Sequence, residues 1–107
     1  MQFICGTTKD SKRRIFYAES APTIENIDDL TELLSEETYD WGSSAEVHAS
    51  ECTARIILMA VTGVNDAFRC APLYAEQVVR PKLDTDRMWI MPFEEVETWL
   101  RANRLIM

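Results

Sequence analysis

Hydrophobic and polar positions are laid out in short, distinct patterns along the chain. Gln2-Phe3-Ile4-Cys5 and Arg13-Arg14-Ile15-Phe16-Tyr17-Ala18 are rich in strand formers. The polar, glycine-bearing stretch from Gly6 to Lys12 lies between them, so the pattern predicts an antiparallel hairpin. Pro22 ends it. Over residues 24–34, Ile24, Ile27, Leu30, Leu33 and Leu34 fall at helical spacing and predict a short amphipathic helix, with a strand near Leu33–Leu34 as the alternative.

Tyr39-Asp40-Trp41-Gly42 reads as an aromatic plug followed by a turn. Ser43 and Glu46 have the spacing of a capping box, which satisfies two orphan N–H groups at a helix start. The helix they open is expected over about 44–62, stopping at Gly63, a natural residue just past a helix end. Its second half, Ile56 to Val61, is apolar on nearly every face and predicts a central, covered helix. Another helix is expected over about 66–80, ending before Pro81. Pro72 falls inside that window and is read as the possible first residue of a second piece. Residues 87–90 suggest a short strand. Pro92 opens a last helix whose buried stripe is Phe93, Val96, Trp99 and Leu100.

These elements make one small α+β domain spanning 1–107: an N-terminal hairpin and a short strand near 87–90, packed on three to four helices. The length of 107 residues suits a single domain. Apolar residues are 47% of the chain, enough to bury a core. No apolar run approaches the ~20 residues of a membrane-spanning helix, and no basic, apolar leader is visible at the start. Cys5, Cys52 and Cys70 are odd in number and widely spaced, with no C-x-x-C pair. A disulfide framework or zinc site is not expected, and a reducing cytoplasm is the simplest location.

From Tyr39 onward the chain resembles a small family of uncharacterised domains from bacteria, archaea and their mobile elements. The residues that carry the resemblance are Tyr39-Asp40-Trp41-Gly42, the helix Ala54–Thr62, Gly63, Leu73-Tyr74, Met88-Trp89-Ile90 and Trp99-Leu100. Two segments depart from it. Ser43-Ser44-Ala45-Glu46 replaces a glycine-rich stretch, and Val79-Arg80-Pro81 replaces a Leu-Pro turn. The resemblance implies a fold and carries over no catalytic residue.

Charge changes the picture most. The net charge is −7, from eighteen acids and eleven bases. Between Arg14 and Arg55 there is no Lys or Arg, yet ten acids stand there: Glu19, Glu25, Asp28, Asp29, Glu32, Glu36, Glu37, Asp40, Glu46 and Glu51. That segment therefore carries −10, and the rest of the chain +3. Stable surfaces usually intersperse the two signs. On the predicted helix, Glu25, Asp28, Asp29, Glu32 and Glu36 form one stripe with neighbours about 5–6 Å apart, close to the phosphate repeat of a nucleic-acid strand. An acidic global charge argues against direct binding to nucleic acid or an anionic membrane.

Other chemistry is thinner. His48 and Cys52 share a helix face at i, i+4, the spacing of a nucleophilic pair; the simpler reading is a half-buried histidine beside a core cysteine. Glu94, Glu95 and Glu97 follow Pro92, where the helix dipole favours acids. Lys9, Lys12, Arg13 and Arg14 are the one basic cluster and read as guards against edge pairing. Trp41, Trp89 and Trp99 read as core.

The expectation is a non-enzymatic binding protein without cofactor or metal. Its acidic face, Glu25, Asp28, Asp29, Glu32, Glu36, Glu37 and Asp40, would enter the nucleic-acid groove of a basic partner protein or complex. In size and charge the chain is similar to phage-encoded inhibitors of bacterial defence, including anti-CRISPR proteins that mimic DNA. The alternative is an accessory domain of a mobile element whose acidic face only solubilises it. A monomer is expected, with a dimer as the alternative.

Overall fold

A computed structural model describes residues 2–9, 12–22, 26, 30–34, 38–41, 47–83 and 88–104. The chain forms a four-stranded antiparallel sheet in the order β3-β2-β1-β4, with helices packed on one face. It is the expected α+β domain. Strands β1 (Phe3–Lys9) and β2 (Lys12–Ala18) make the hairpin. The strands run further than the sequence suggests: Gly6, Thr7 and Thr8 belong to β1, paired with Ile15, Arg14 and Arg13. Two threonines favour extended backbone, and Gly6 is explained by its neighbour. A Cβ built on Gly6 would lie 2.3 Å from the ring of Trp89, which is opposite Gly6 on β4. The glycine leaves the room that this indole occupies.

Strand β3 (Thr31–Leu33) takes the place of the end of the helix expected over 24–34 and agrees with the alternative of a strand near Leu33–Leu34. Residues 31–33 pair with Ile15–Tyr17 of β2 and supply that strand's outer hydrogen bonds. Alternation then decides the side chains. Leu33 sits opposite Ile15 and packs on the main core, whereas Leu34 is 78% exposed. Residues 24, 25 and 27–29 of the expected helix, with Glu25, Asp28 and Asp29, lie outside the described residues.

Helix α1 (Val47–Thr62) is the expected central helix. Its proposed capping box, Ser43 with Glu46, lies outside the described residues. Ala54, Ile57 and Leu58 are fully buried, but Met59 is 43% exposed, so the helix is covered on fewer sides than its composition suggests. Gly63 ends it at φ 98°, donating its N–H to the Met59 carbonyl, and at once starts α2 (Val64–Tyr74).

Pro72 does not divide α2. The helical path continues through a π-helical stretch, Ala75–Val79, into α3 (Arg80–Lys82). Ala67, Cys70, Ala71, Tyr74, Ala75, Val78 and Val79 are all buried and hold one face against the core without a break. Pro72 points to solvent, where water can serve the carbonyl its missing N–H leaves unpaired. Pro81 likewise falls within the helical path, which closes with Leu83 N–H donating to the Val79 carbonyl at 3.1 Å.

Strand β4 (Trp89–Pro92) runs two residues later than expected, and α4 (Phe93–Arg104) follows directly. Phe93, Val96 and Leu100 are buried and Trp99 half-buried, as the stripe predicted. Of the tryptophans, Trp41 and Trp89 meet edge to face in the core at 5.4 Å. The opposite face of the sheet carries a smaller cluster, Cys5 and Phe16, covered by Leu30 and Met88. Burial pushes the Cys5 thiol up to about 11. No helix among the described residues is long and apolar enough to cross a membrane.

Candidate interaction face

The acidic segment meets the sheet through β3, an edge strand. Of the seven carboxylates expected to face a partner, Glu32 and Asp40 are described; Glu25, Asp28, Asp29, Glu36 and Glu37 lie outside the described residues. Glu32 sits opposite Phe16 on β3, on the sheet face away from the helices. Its Oε1 lies 3.6 Å from Nη1 of Arg14. Because 31–33 is a strand, Glu32 does not belong to a helical stripe, and the phosphate-like spacing does not run through it.

Asp40 is held more firmly. Its Oδ1 accepts from Nε of Arg13 at 3.1 Å and from the Trp41 N–H at 2.6 Å. Arg13 lies over the Trp41 ring, 5.2 Å from its centroid, and donates to Thr8 Oγ1. The Asp40 carbonyl accepts from Thr53 Oγ1 at 2.6 Å, and its N–H donates to the Ala49 carbonyl. Asp40 thus ties β2, the Tyr39–Trp41 stretch and α1 together. A buried tryptophan capped by an arginine, itself neutralised by an aspartate, satisfies all three groups at once.

The sequence makes the basic cluster a guard of the sheet edge. Two of its members, Arg13 and Arg14, instead pair with the acidic segment. The signal was available: they are the last bases before forty residues with none. They offset two of the ten acids.

His48 and Cys52 do meet, with Sγ 3.7 Å from Nε2. Arg55, one turn further along α1, donates from Nη2 to the same sulfur at 3.3 Å. Cys52 is 2% exposed, a core cysteine. Cys5 and Cys70 are buried and free, as expected. Glu94 and Glu95 stand exposed in the first turn of α4, and Glu97 pairs with Arg101. Among the described residues no group of three His, Cys, Asp or Glu is placed to hold a metal ion.

No protein-family model, curated protein or solved structure matches the chain.

Proposed function

We propose that the chain is a non-enzymatic binding protein whose acidic segment docks onto a basic, nucleic-acid-binding surface of a partner protein. The observation that carries this is the charge of −10 over residues 15–54, of which Arg13 and Arg14 engage two carboxylates. The segment includes the outer strand of the sheet, β3, so part of it lies at an edge and not within the core. A charge block of one sign raises association rates with a basic groove and competes with nucleic acid for it. The DNA-entry groove of a bacterial defence complex is the partner class such a mimic suits. Asp40, committed to Arg13 and Trp41, serves the fold and not the docking.

The test is capture of partners from a bacterial lysate, with and without competing DNA, at low and physiological salt. Retention of a nucleic-acid-binding complex that DNA and salt both release is the expected outcome. Reversal of Glu25, Asp28 and Asp29 to Lys should abolish retention while the circular dichroism spectrum is preserved. Undiminished capture by the reversed protein would refute the proposal.

A second reading rests on the Arg14–Glu32 and Arg13–Asp40 pairs, which draw the described acids into the protein's own structure. In that reading the domain is an accessory module, and its partner meets the exposed Phe68 and Met59 instead. Capture that resists salt but fails after Phe68→Ser favours it.

A further inference from the structure

We propose that the outer edge of β4 is a self-association site, at which a second copy of this chain adds its own β4 antiparallel and joins the two sheets into one. Among the described residues no strand lies beyond β4. The stretch Met88-Trp89-Ile90-Met91-Pro92 carries no charge, and Ile90 is 42% exposed. Sheets usually guard their edges with charged side chains or with very short strands. The other edge is guarded in both ways, since β3 has three residues and Glu32 is one of them. The β4 edge has no such charge.

The pairing of β1 with β4 decides which backbone groups that edge presents. Antiparallel pairs alternate between those that exchange hydrogen bonds and those that do not. The Phe93 N–H donates to the Gln2 carbonyl at 2.9 Å, so Gln2 and Phe93 form a bonded pair. In the register that follows, Ile4 with Met91 and Gly6 with Trp89 are then the bonded pairs. Pro92, which has no N–H to give, falls at a non-bonded position opposite Phe3. Ile90 falls at the next one, opposite Cys5, so its N–H and carbonyl point outward. One residue back, the same alternation turns the N–H and carbonyl of Met88 outward. The Met88 side chain agrees, because it packs on the Cys5–Phe16 cluster, on the sheet face to which Ile90 belongs.

Donors and acceptors at alternate positions of one edge are complementary to themselves. With a two-fold axis at Trp89, Met88 of each copy faces Ile90 of the other, and both pairs exchange backbone hydrogen bonds. The Met88–Ile90 contacts extend the Cys5–Phe16 cluster across the junction. Pro92 lies past the paired stretch at both ends and stops it there. Charge selects the same edge for the meeting of two like molecules. Each chain carries −7, with a −10 block that meets the sheet at β3, the far edge. Pairing through β4 leaves the two β3 strands seven strand spacings apart, roughly 34 Å. That is several times the Debye length of about 8 Å at physiological salt. The site is separate from the docking surface proposed above, and the dimer presents two acidic edges outward.

Sedimentation velocity and amide hydrogen exchange on the full chain test this. A contact this short should dissociate at about 0.1 mM, at the weak end of protein interfaces. The Ile90 amide should then exchange about fourfold more slowly at about 1 mM protein than at about 20 μM. The Trp89 and Met91 amides, bonded to β1, should be slow at both. Ile90→Lys should hold the protein monomeric with its circular dichroism unchanged, even though it lowers the net charge. Ile90→Pro removes an N–H that β1 does not use, so it should keep the fold and weaken the dimer about tenfold. Leu34→Lys, beside β3, should leave association intact. Added salt should not loosen the dimer, whereas it loosens docking by charge. A monomer at millimolar concentration, an Ile90 amide indifferent to concentration, or a dimer that survives both Ile90 variants would each overturn the proposal. So would a dimer lost in Leu34→Lys or dissolved by salt.

Discussion

Replacing Asp40 tests how the structure uses its most connected acid. Asp40→Asn keeps the side-chain volume and an oxygen that can still accept the Trp41 N–H. It removes the charge facing Arg13 at 3.1 Å. A charge-assisted hydrogen bond contributes about 1.5–3 kcal/mol when shielded. Here the two side chains are 18% and 34% exposed, so solvent screening brings the expected loss to about 1 kcal/mol. Asp40→Ala also orphans the Trp41 N–H, whose bond is 2.6 Å, and the expected loss rises to about 2 kcal/mol. Urea titration followed by tryptophan fluorescence measures both, because Trp41 is buried beside Trp89. For a domain of this size each kcal/mol is worth about 4–8 °C in Tm. Combining Asp40→Asn with Arg13→Met should give a coupling energy of about 1 kcal/mol. A coupling within about 0.3 kcal/mol of zero, or an unchanged midpoint for Asp40→Asn, would refute the anchoring role. That result would return Asp40 to the docking surface.

The two described glycines separate steric from conformational cost. Gly6→Ala drives a methyl into the Trp89 ring and should cost about 3 kcal/mol, as overpacking does, whereas Gly63→Ala meets no atom within 4 Å and should cost about 1 kcal/mol for its φ of 98°; equal losses in urea titration would contradict this. Stability should also fall as pH rises from 9 to about 11, because the buried Cys5 thiol, ordinarily near 9.0, ionises first in the unfolded chain. The folded pKa is the raised one, so the contribution is complete below pH 9 and lost through that window, on the order of 2–3 kcal/mol. Cys5→Ala should flatten the profile between pH 9 and 10, below the range where the buried phenols of Tyr74 and Tyr39 begin to ionise in the unfolded chain, and a slope that persists there would assign the loss to another group. Native protein at pH 8 should react slowly with a thiol reagent and release three thiols on denaturation, since all three cysteines are buried; fast reaction of even one would contradict the packing.

The boundary between sequence and tertiary structure runs through particular residues. Periodicity reads burial locally, so the hairpin, the central helix with its stop at Gly63, and the Phe93–Leu100 stripe were all legible. So was the −10 block, which needs only the order of residues. Residues 31–33 suit either a helix, through Leu30, Leu33 and Leu34, or the short strand near Leu33–Leu34 that the sequence also allows. The choice is made by the free backbone edge of β2, which the segment satisfies. Gly6 looked like turn punctuation, and only Trp89, arriving from β4, makes it a strand residue. Pro72 looked like a break, and only the unbroken buried face behind it explains its tolerance. Composition alone made Asp40 a phosphate substitute, but Arg13 and Trp41 converge on it and make it an anchor. In each case local pattern encodes which face is apolar. Which backbone or charge is left to satisfy exists only after distant segments meet.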